Sequence, residues 1–203
     1  MIRLRSALFA PLVFALTMAL APLAAAGEAQ DYVKARHDEL TSVLRQPASP
    51  TRAARIASML DGMLDFDSIA KQALGSNADG RTEAELREYQ DVLTRIIKRN
   101  YQRNIQKTLR YTLSYTGEDA ANDGAVVHTK VEHTKANGEV EIISIDYLLH
   151  QKDGRWMIYN VITEESGMVN NYRNSFNKTI RKDGWNGFMG KLRRKLAGPA
   201  SAE

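Results

Sequence analysis

Between residues 109 and 162 the hydrophobic period changes from helical to two, and the alternation is broken only by short turns. Leu109, Tyr111, Leu113 and Tyr115 alternate with Arg110, Thr112, Ser114 and Thr116. Asn122-Asp123-Gly124 leads into a second run over 126–134, and Asn137-Gly138 is a strong hairpin signal. Residues 140–150 form a third run with Ile143, Ile145, Tyr147 and Leu149 on one face. Asp153-Gly154 turns into a fourth run, 155–162. Parallel neighbours need a crossover of about a dozen residues or more. None of these turns is long enough, so the four strands must form an antiparallel meander.

The flanking segments are helical. Val33, Leu40, Val43 and Leu44 mark a first helix over 31–45, and Gln46-Pro47-Ala48-Ser49-Pro50 ends it because proline cannot continue a helix. Thr51 is read as the cap of a second helix carrying Ile56, Met59, Leu60 and Met63. Asp65 or Asp67 caps a short third one with Ile69, Ala70, Ala73 and Leu74, stopped by Gly75, and a loop 76–80 follows. Thr82 and Glu85 have capping-box spacing, and Leu86, Tyr89, Leu93, Ile96, Ile97, Tyr101 and Ile105 then form one long stripe. After the strands, Met168, Val169, Tyr172, Phe176 and Ile180 mark one helix, and Phe188, Met189, Leu192 and Leu196 another. The class is α+β, with helices packed on one face of a curved four-stranded antiparallel sheet.

The N-terminus reads as a leader. Arg3 and Arg5 precede a 14-residue apolar run from Ala7 to Leu20, short of the roughly 20 residues that span a bilayer. Ala24-Ala25-Ala26 is a signal-peptidase pattern, so a general secretory signal over 1–26 is expected to be cleaved after Ala26. Leu4 separates the arginines, which excludes a twin-arginine signal. Removal leaves 177 of the 203 residues and lowers the net charge from +4 to +2. Residues 27–197 are expected to form one exported domain, followed by a loose tail, 198–203. The chain has no cysteine, which excludes a disulfide framework, a thiol nucleophile, an iron–sulfur cluster and a lipoprotein anchor. With no broad basic surface, a nucleic-acid partner is not expected.

Chemistry is sparse. There are four histidines: His37 on a polar helix, His150 beside a turn, and His128 and His133 on opposite faces of one strand. No metal site follows from them. No serine occupies a strand-to-helix elbow, and no glycine-rich loop opens a helix after a strand. Asp146, between Ile145 and Tyr147, is the best acid for proton-transfer chemistry of the isomerase type, but alternation puts it with Ser144 on the solvent side. The basic run from Lys191 to Lys195 reads as a solvated helix end, with contact to phosphates or an anionic membrane as the alternative.

The end of the chain carries a more specific signal. Val161-Ile162-Thr163-Glu164, Met168-Val169-Asn170-Asn171-Tyr172-Arg173, then Phe176, Gly184 and the stretch from Leu192 to Leu196 closely resemble the end of the MlaC, or toluene-tolerance, family. Phe66-Asp67-Ser68-Ile69-Ala70 and Ala73-Leu74-Gly75 resemble an upstream block of that family, and 154–161 resembles its Gly-x-Trp-x-Val-Tyr-Asp-Val strand. Ordered blocks cover about residues 55–196. Ser76-Asn77-Ala78 stands where an aromatic is usual, Asn160 replaces an Asp, and Glu165 and Gly167 stand where Gly and Ser are common.

The resemblance implies a periplasmic phospholipid carrier with an apolar cavity between sheet and helices, the headgroup left in water, no reaction and no cofactor. It implies traffic between an inner-membrane ABC transporter bearing MCE domains and an outer-membrane lipoprotein–porin complex, which maintains outer-membrane lipid asymmetry. A monomer is expected. Carried onto the elements above, it implies a lining that includes Ile69, Ile97 and Tyr101 from helices and Tyr111, Val131, Ile145, Tyr147 and Ile158 from strands. Met168, Tyr172 and Phe176 complete it, while Arg173 turns toward a structural partner in preference to a headgroup. Three alternatives stand beside this reading: a carrier of another lipid such as a hopanoid, an isomerase or hydratase in a cone-shaped sheet, and an adaptor with a filled core.

Overall fold

The computed structural model describes residues 27–109, 111–134, 137–164 and 166–198. The expected leader, the tail from 199, Arg110, Glu165 and the side chains of Ile105 and His133 lie outside the described residues. Helix α1 (Glu28–Leu44) buries Val33, Leu40, Val43 and Leu44, as its stripe requires. Helix α2 (Pro50–Met63) is capped by Ser49 and not by Thr51: the Arg52 amide donates to Ser49 Oγ at 3.1 Å, and Pro50 occupies the first turn. Proline has no amide to leave unsatisfied there, so Pro50 begins this helix where the sequence reading had it only end the previous one. Helix α3 (Phe66–Leu74) is capped by Asp65 and ends at Gly75, whose φ of +56° a side chain would disfavour, before a 3-10 turn at Gly75–Ala78.

Helix α4 (Glu83–Thr108) opens on the expected capping box: the Glu85 amide donates to Thr82 Oγ1 at 3.2 Å and the Thr82 amide to Glu85 Oε2 at 2.9 Å. Its stripe buries Tyr89, Leu93, Ile96 and Ile97, with Val92 beside them. Helix α5 (Met168–Ala197) spans both expected C-terminal helices and is broken at Gly184, where φ is +66° and ψ 178°. Tyr89 from α4 and Phe176, Trp185 and Phe188 from α5 pack ring against ring, with centroids 4.9–6.2 Å apart.

The sheet has five strands where four were expected. Strands β1 (Thr112–Ala121), β2 (Gly124–Thr134), β3 (Val140–Lys152) and β4 (Arg155–Thr163) pair antiparallel in chain order. The two-residue β5 (Ser166–Gly167) returns against the end of β4. It was missed because two residues display no period. The β3–β4 turn has positive φ at both Asp153 (52°) and Gly154 (72°), the mirror-image turn that matches strand twist.

Two irregularities bend the sheet. The β1–β2 register slips between Tyr115 and Gly117, leaving Thr116 as an extra residue, and the β3–β4 register slips at Tyr159 between Ile158 and Asn160. Ala125, Val127, Thr129 and Val131 of β2, with Leu149 of β3 and Ile158 of β4, are buried under the helices. The other face is open. Helices against one face of an unclosed, curved antiparallel sheet is the expected α+β arrangement.

Candidate functional site

Sheet and helices diverge at one end of the molecule. The C-terminal half of α1 supplies His37, Leu40, Thr41 and Leu44, which share one helix face by their spacing of three and four. Opposite them stand Tyr111 and Leu113, Val131 of β2, Ile143, Ile145 and Tyr147 of β3 and Thr163 of β4, with Tyr101 closing from α4. These residues enclose a cavity of about 240 Å³. A larger and more open chamber of about 630 Å³ adjoins it, bounded by Tyr101, Val161, Thr163, Ser166, Met168, Asn171, Tyr172, Ser175 and Lys195. Tyr101 and Thr163 belong to both walls, so they stand between the two spaces.

Apart from Lys195, the described walls carry no charged side chain near neutral pH. Burial pushes the Tyr147 phenol up to about 12 and raises Tyr101 further still. Burial also raises Tyr172, against a hydrogen bond with Asn100 that lowers it. The His37 ring is lowered by burial, which outweighs the opposing pull of Asp38, so the imidazole stays neutral at pH 7. Lys195 at the open side of the larger chamber is the charged residue in the described lining.

The chambers bring together Tyr101, Tyr111, Val131, Ile145, Tyr147, Met168 and Tyr172 of the expected lining. Ile69, Ile97, Ile158 and Phe176 lie instead in the closed core, each less than a tenth exposed. Their stripes are the same kind of apolar signal; what separates core from cavity is how far the elements diverge, which spacing does not encode. Leu40, Leu44, Leu113 and Ile143 were readable as apolar faces without being assigned to a cavity. His37, Thr41, Thr163, Ser166, Asn171 and Ser175 carry no apolar signal.

Several singled-out residues have structural roles. Arg173 Nε donates to the Gln72 carbonyl at 2.9 Å, so its partner is the last turn of α3. Asn160 Oδ1 accepts from the Val161 and Val169 amides at 2.9 and 3.1 Å, tying β4 to the start of α5. A side-chain carbon at Gly167 would lie 3.3 Å from the Asn160 amide nitrogen, so the two departures from the family pattern are neighbours in space. Asn77, at the third departure, donates to the Leu74 carbonyl at 3.0 Å and to Asn177 Oδ1.

Asp146 is on the open face of the sheet. Its Oδ1 lies 2.8 Å from His128 Nδ1, and His128 Nε2 lies 3.1 Å from Asp119 Oδ2. Hydrogen bonding to Asp146, more than burial opposes it, raises the His128 pKa. The best candidate for an isomerase base is therefore outside the cavity. Among the described residues no three His, Asp or Glu side chains are placed to hold a metal ion. No helix among them is long and apolar enough to cross a membrane.

Residues 34–194 match the family described as MlaC protein. The chain belongs to the MlaC family. A solved structure of a phospholipid-binding protein from Ralstonia solanacearum, in complex with a phospholipid, superposes with a TM-score of 0.67 at 22% sequence identity. The match covers 83% of this chain and 97% of that one, so the MlaC-family fold extends over nearly the whole of the neighbour. No curated protein matches this sequence.

Proposed function

We propose that this MlaC-family chain is a periplasmic phospholipid carrier that shields acyl chains in the paired chambers while moving lipid between an inner-membrane MCE-domain ABC transporter and an outer-membrane lipoprotein–porin complex. The observation that carries the reading is the pair of adjoining chambers between sheet and helices, about 240 and 630 Å³, with Lys195 as the charged side chain of the described lining. Ligand sites commonly occupy about 300–1,000 Å³, so the larger chamber alone is of ligand size. Family membership and the fold shared with a neighbour solved in complex with a phospholipid support the choice of ligand.

The energetics suit a shuttle. Each buried methylene gains about 0.8 kcal/mol against water, so two chains of about 15 methylenes gain roughly 24 kcal/mol. A bilayer returns nearly the same gain, so exchange between membrane and carrier is close to balanced while escape into water is blocked. In the described lining the raised phenols of Tyr101, Tyr147 and Tyr172 stay protonated and the His37 imidazole stays neutral at pH 7, which favours carrying over acid–base catalysis.

The test is native mass spectrometry and solvent extraction of the purified protein, followed by transfer of labelled phospholipid between donor and acceptor vesicles. Co-purified phospholipid and accelerated transfer are expected. A protein that emerges without lipid and leaves the transfer rate at its spontaneous value sinks the carrier reading.

A further inference from the structure

Helix α5 holds eight Lys and Arg side chains and one acid, Asp183, whereas residues 27–167 hold 18 basic and 22 acidic ones. Elsewhere the helices pair many of their cations: Arg36 with Glu39, Arg87 with Glu83, Arg95 with Asp91 and Lys98 with Asp61. On α5, Lys191 pairs with Asp183, Arg193 with Glu88 of α4, and Arg173 donates to the Gln72 carbonyl. Lys178, Arg181, Lys182, Arg194 and Lys195 are exposed and have no hydrogen-bond or ion-pair partner among the described residues. The hydrogen bond from Lys191 lowers the Asp183 pKa, and Lys182, its neighbour in sequence, adds a smaller pull. Like charges three and four residues apart on a helix repel, and an anion outside the chain relieves that repulsion.

These cations continue the chamber wall. Asn171, Ser175, Lys178 and Lys182 follow one another at helical spacing, so the wall formed by Asn171 and Ser175 runs on into the cationic stripe. Gly184 breaks the helix, and the second limb packs against α4: Phe188 meets Tyr89 and Phe176, and Arg99 donates to the carbonyls of Leu196 and Gly198. Lys191, Arg194 and Lys195 share one face of that limb, and Lys195 bounds the larger chamber. The exposed large apolar side chains among the described residues are Leu109, Val140 and Ile142, and none is on α5. Protein interfaces are built around buried aromatic or aliphatic anchors, which this face lacks. A bilayer with anionic lipids needs no anchor, because it attracts a cluster of Lys and Arg by charge alone.

We propose that the cationic face of α5, carried by Lys178, Arg181 and Lys182 with Arg194 and Lys195, rests on the surface of a membrane containing anionic lipid and brings the larger chamber against it. The contact is peripheral and electrostatic, and it stands whether or not the chambers carry lipid. It extends the membrane alternative for the basic run at 191–195 to the first limb of α5, where the stripe at 178–182 is free of carboxylates. Lys191 and Arg193, within that run, serve instead as structural pairs.

The experiment is flotation of the purified protein with vesicles of phosphatidylcholine, with and without phosphatidylglycerol. The parent should bind the anionic vesicles and not the neutral ones, and salt of about 1 M, which shortens the screening length to about 3 Å, should release it. Each cation at an anionic surface contributes about fivefold in partitioning, so K178Q/R181Q/K182Q should bind about a hundredfold more weakly. The control K34Q/R45Q/R55Q removes the same charge from exposed positions of α1, its C-terminal cap and α2, and should bind like the parent. Equal losses in both triple variants, no loss in the first, or equal binding of the parent to both vesicles overturns the proposal. A parent that binds soluble polyglutamate but neither vesicle overturns it in favour of an acidic protein partner. Self-association that only the first variant loses, without vesicle binding, overturns it in favour of a second copy. Vesicle binding without transfer of labelled lipid supports this contact and removes the carrier reading, and transfer without vesicle binding does the reverse.

Discussion

Asp65 joins α3 to the end of β3 through one carboxylate. Oδ1 accepts from the Ser68 amide at 3.1 Å and Lys152 Nζ at 3.0 Å, and Oδ2 accepts from Ser68 Oγ and lies 2.9 Å from His150 Nε2. Burial on its own pushes this carboxyl up. The Ser68 amide, the Lys152 ammonium, the Ser68 hydroxyl and the His150 ring outweigh it and hold the pKa at about 2, against 3.8 in the unfolded chain. A carboxyl lowered on folding contributes stability that is full above its unfolded pKa and lost as pH falls through the folded one. Asp65→Asn is therefore expected to cost about 2 kcal/mol at pH 7. The gap between variant and parent should close between pH 4 and pH 2. Urea unfolding across that range checks this, and a gap that persists undiminished at pH 2 refutes it. The sequence offers Asp65 and Asp67 equally as caps of α3. What decides between them is the tip of the β3–β4 hairpin, 85 or more residues further along the chain. No local pattern carries that information.

At the scale of elements, most of the meander and the helical stripes were legible because period and turn chemistry are local. The irregularities that shape the sheet are not. Thr116 has nothing in its surroundings to mark it as the extra residue of a bulge, yet it shifts the following residues of β1 to the opposite face. Glu118 is thereby turned toward α1, where its Oε2 accepts from the Gln30 amide at 2.7 Å and takes the place of a side-chain cap that Gly27 cannot provide. Ser49 was passed over as a cap because the proline after it reads first as a terminator, though proline suits the first helical turn as well as it ends a helix. The two C-terminal stripes were legible as separate helices, and the break between them falls at Gly184, where φ is +66°.

Gly124 makes a sharper demand. It opens β2 opposite His150, and a side-chain carbon there would lie 1.9 Å from the Leu149 carbonyl oxygen. Backbone cannot move aside as a flexible side chain would, so Gly124→Ala should force β2 away from β3 and cost about 3 kcal/mol. A urea midpoint within experimental error of the parent would show that the hairpin absorbs the extra carbon.

For the whole molecule, the question is why these two chambers stay open while the described core beside them is closed. The aromatic cluster of Tyr89, Phe176, Trp185 and Phe188 clamps α4 to α5 at one end, while β2 packs against α1 and β4, with Ile158, against α2 and α3. The elements are thus fixed where the core is closed and diverge toward Tyr101, Tyr111 and Thr163, which line the chambers. An apolar stripe in sequence states only that a face avoids water. Whether it meets protein or ligand is settled by the angle between elements, which is why Ile97 is core and Tyr101, one turn later on the same stripe, is cavity wall. If the smaller chamber is unfilled core awaiting a ligand, filling it from within should stabilise the empty protein and exclude the lipid. Val131 and Ile145 face it from adjacent strands, and Val131→Phe with Ile145→Phe would add aromatic volume inside about 240 Å³ without placing a polar atom there. The lipid-free double variant should melt at the parent's temperature or a few degrees above, since about 1 kcal/mol of added burial moves a domain of this size by roughly 2–4 °C. Phospholipid co-purification and vesicle transfer should fall at least tenfold. A double variant that melts as expected and still carries the parent's load of lipid would show that the acyl chains lie entirely in the larger chamber. A variant that melts well below the parent would show that the smaller space was already as full as its walls allow.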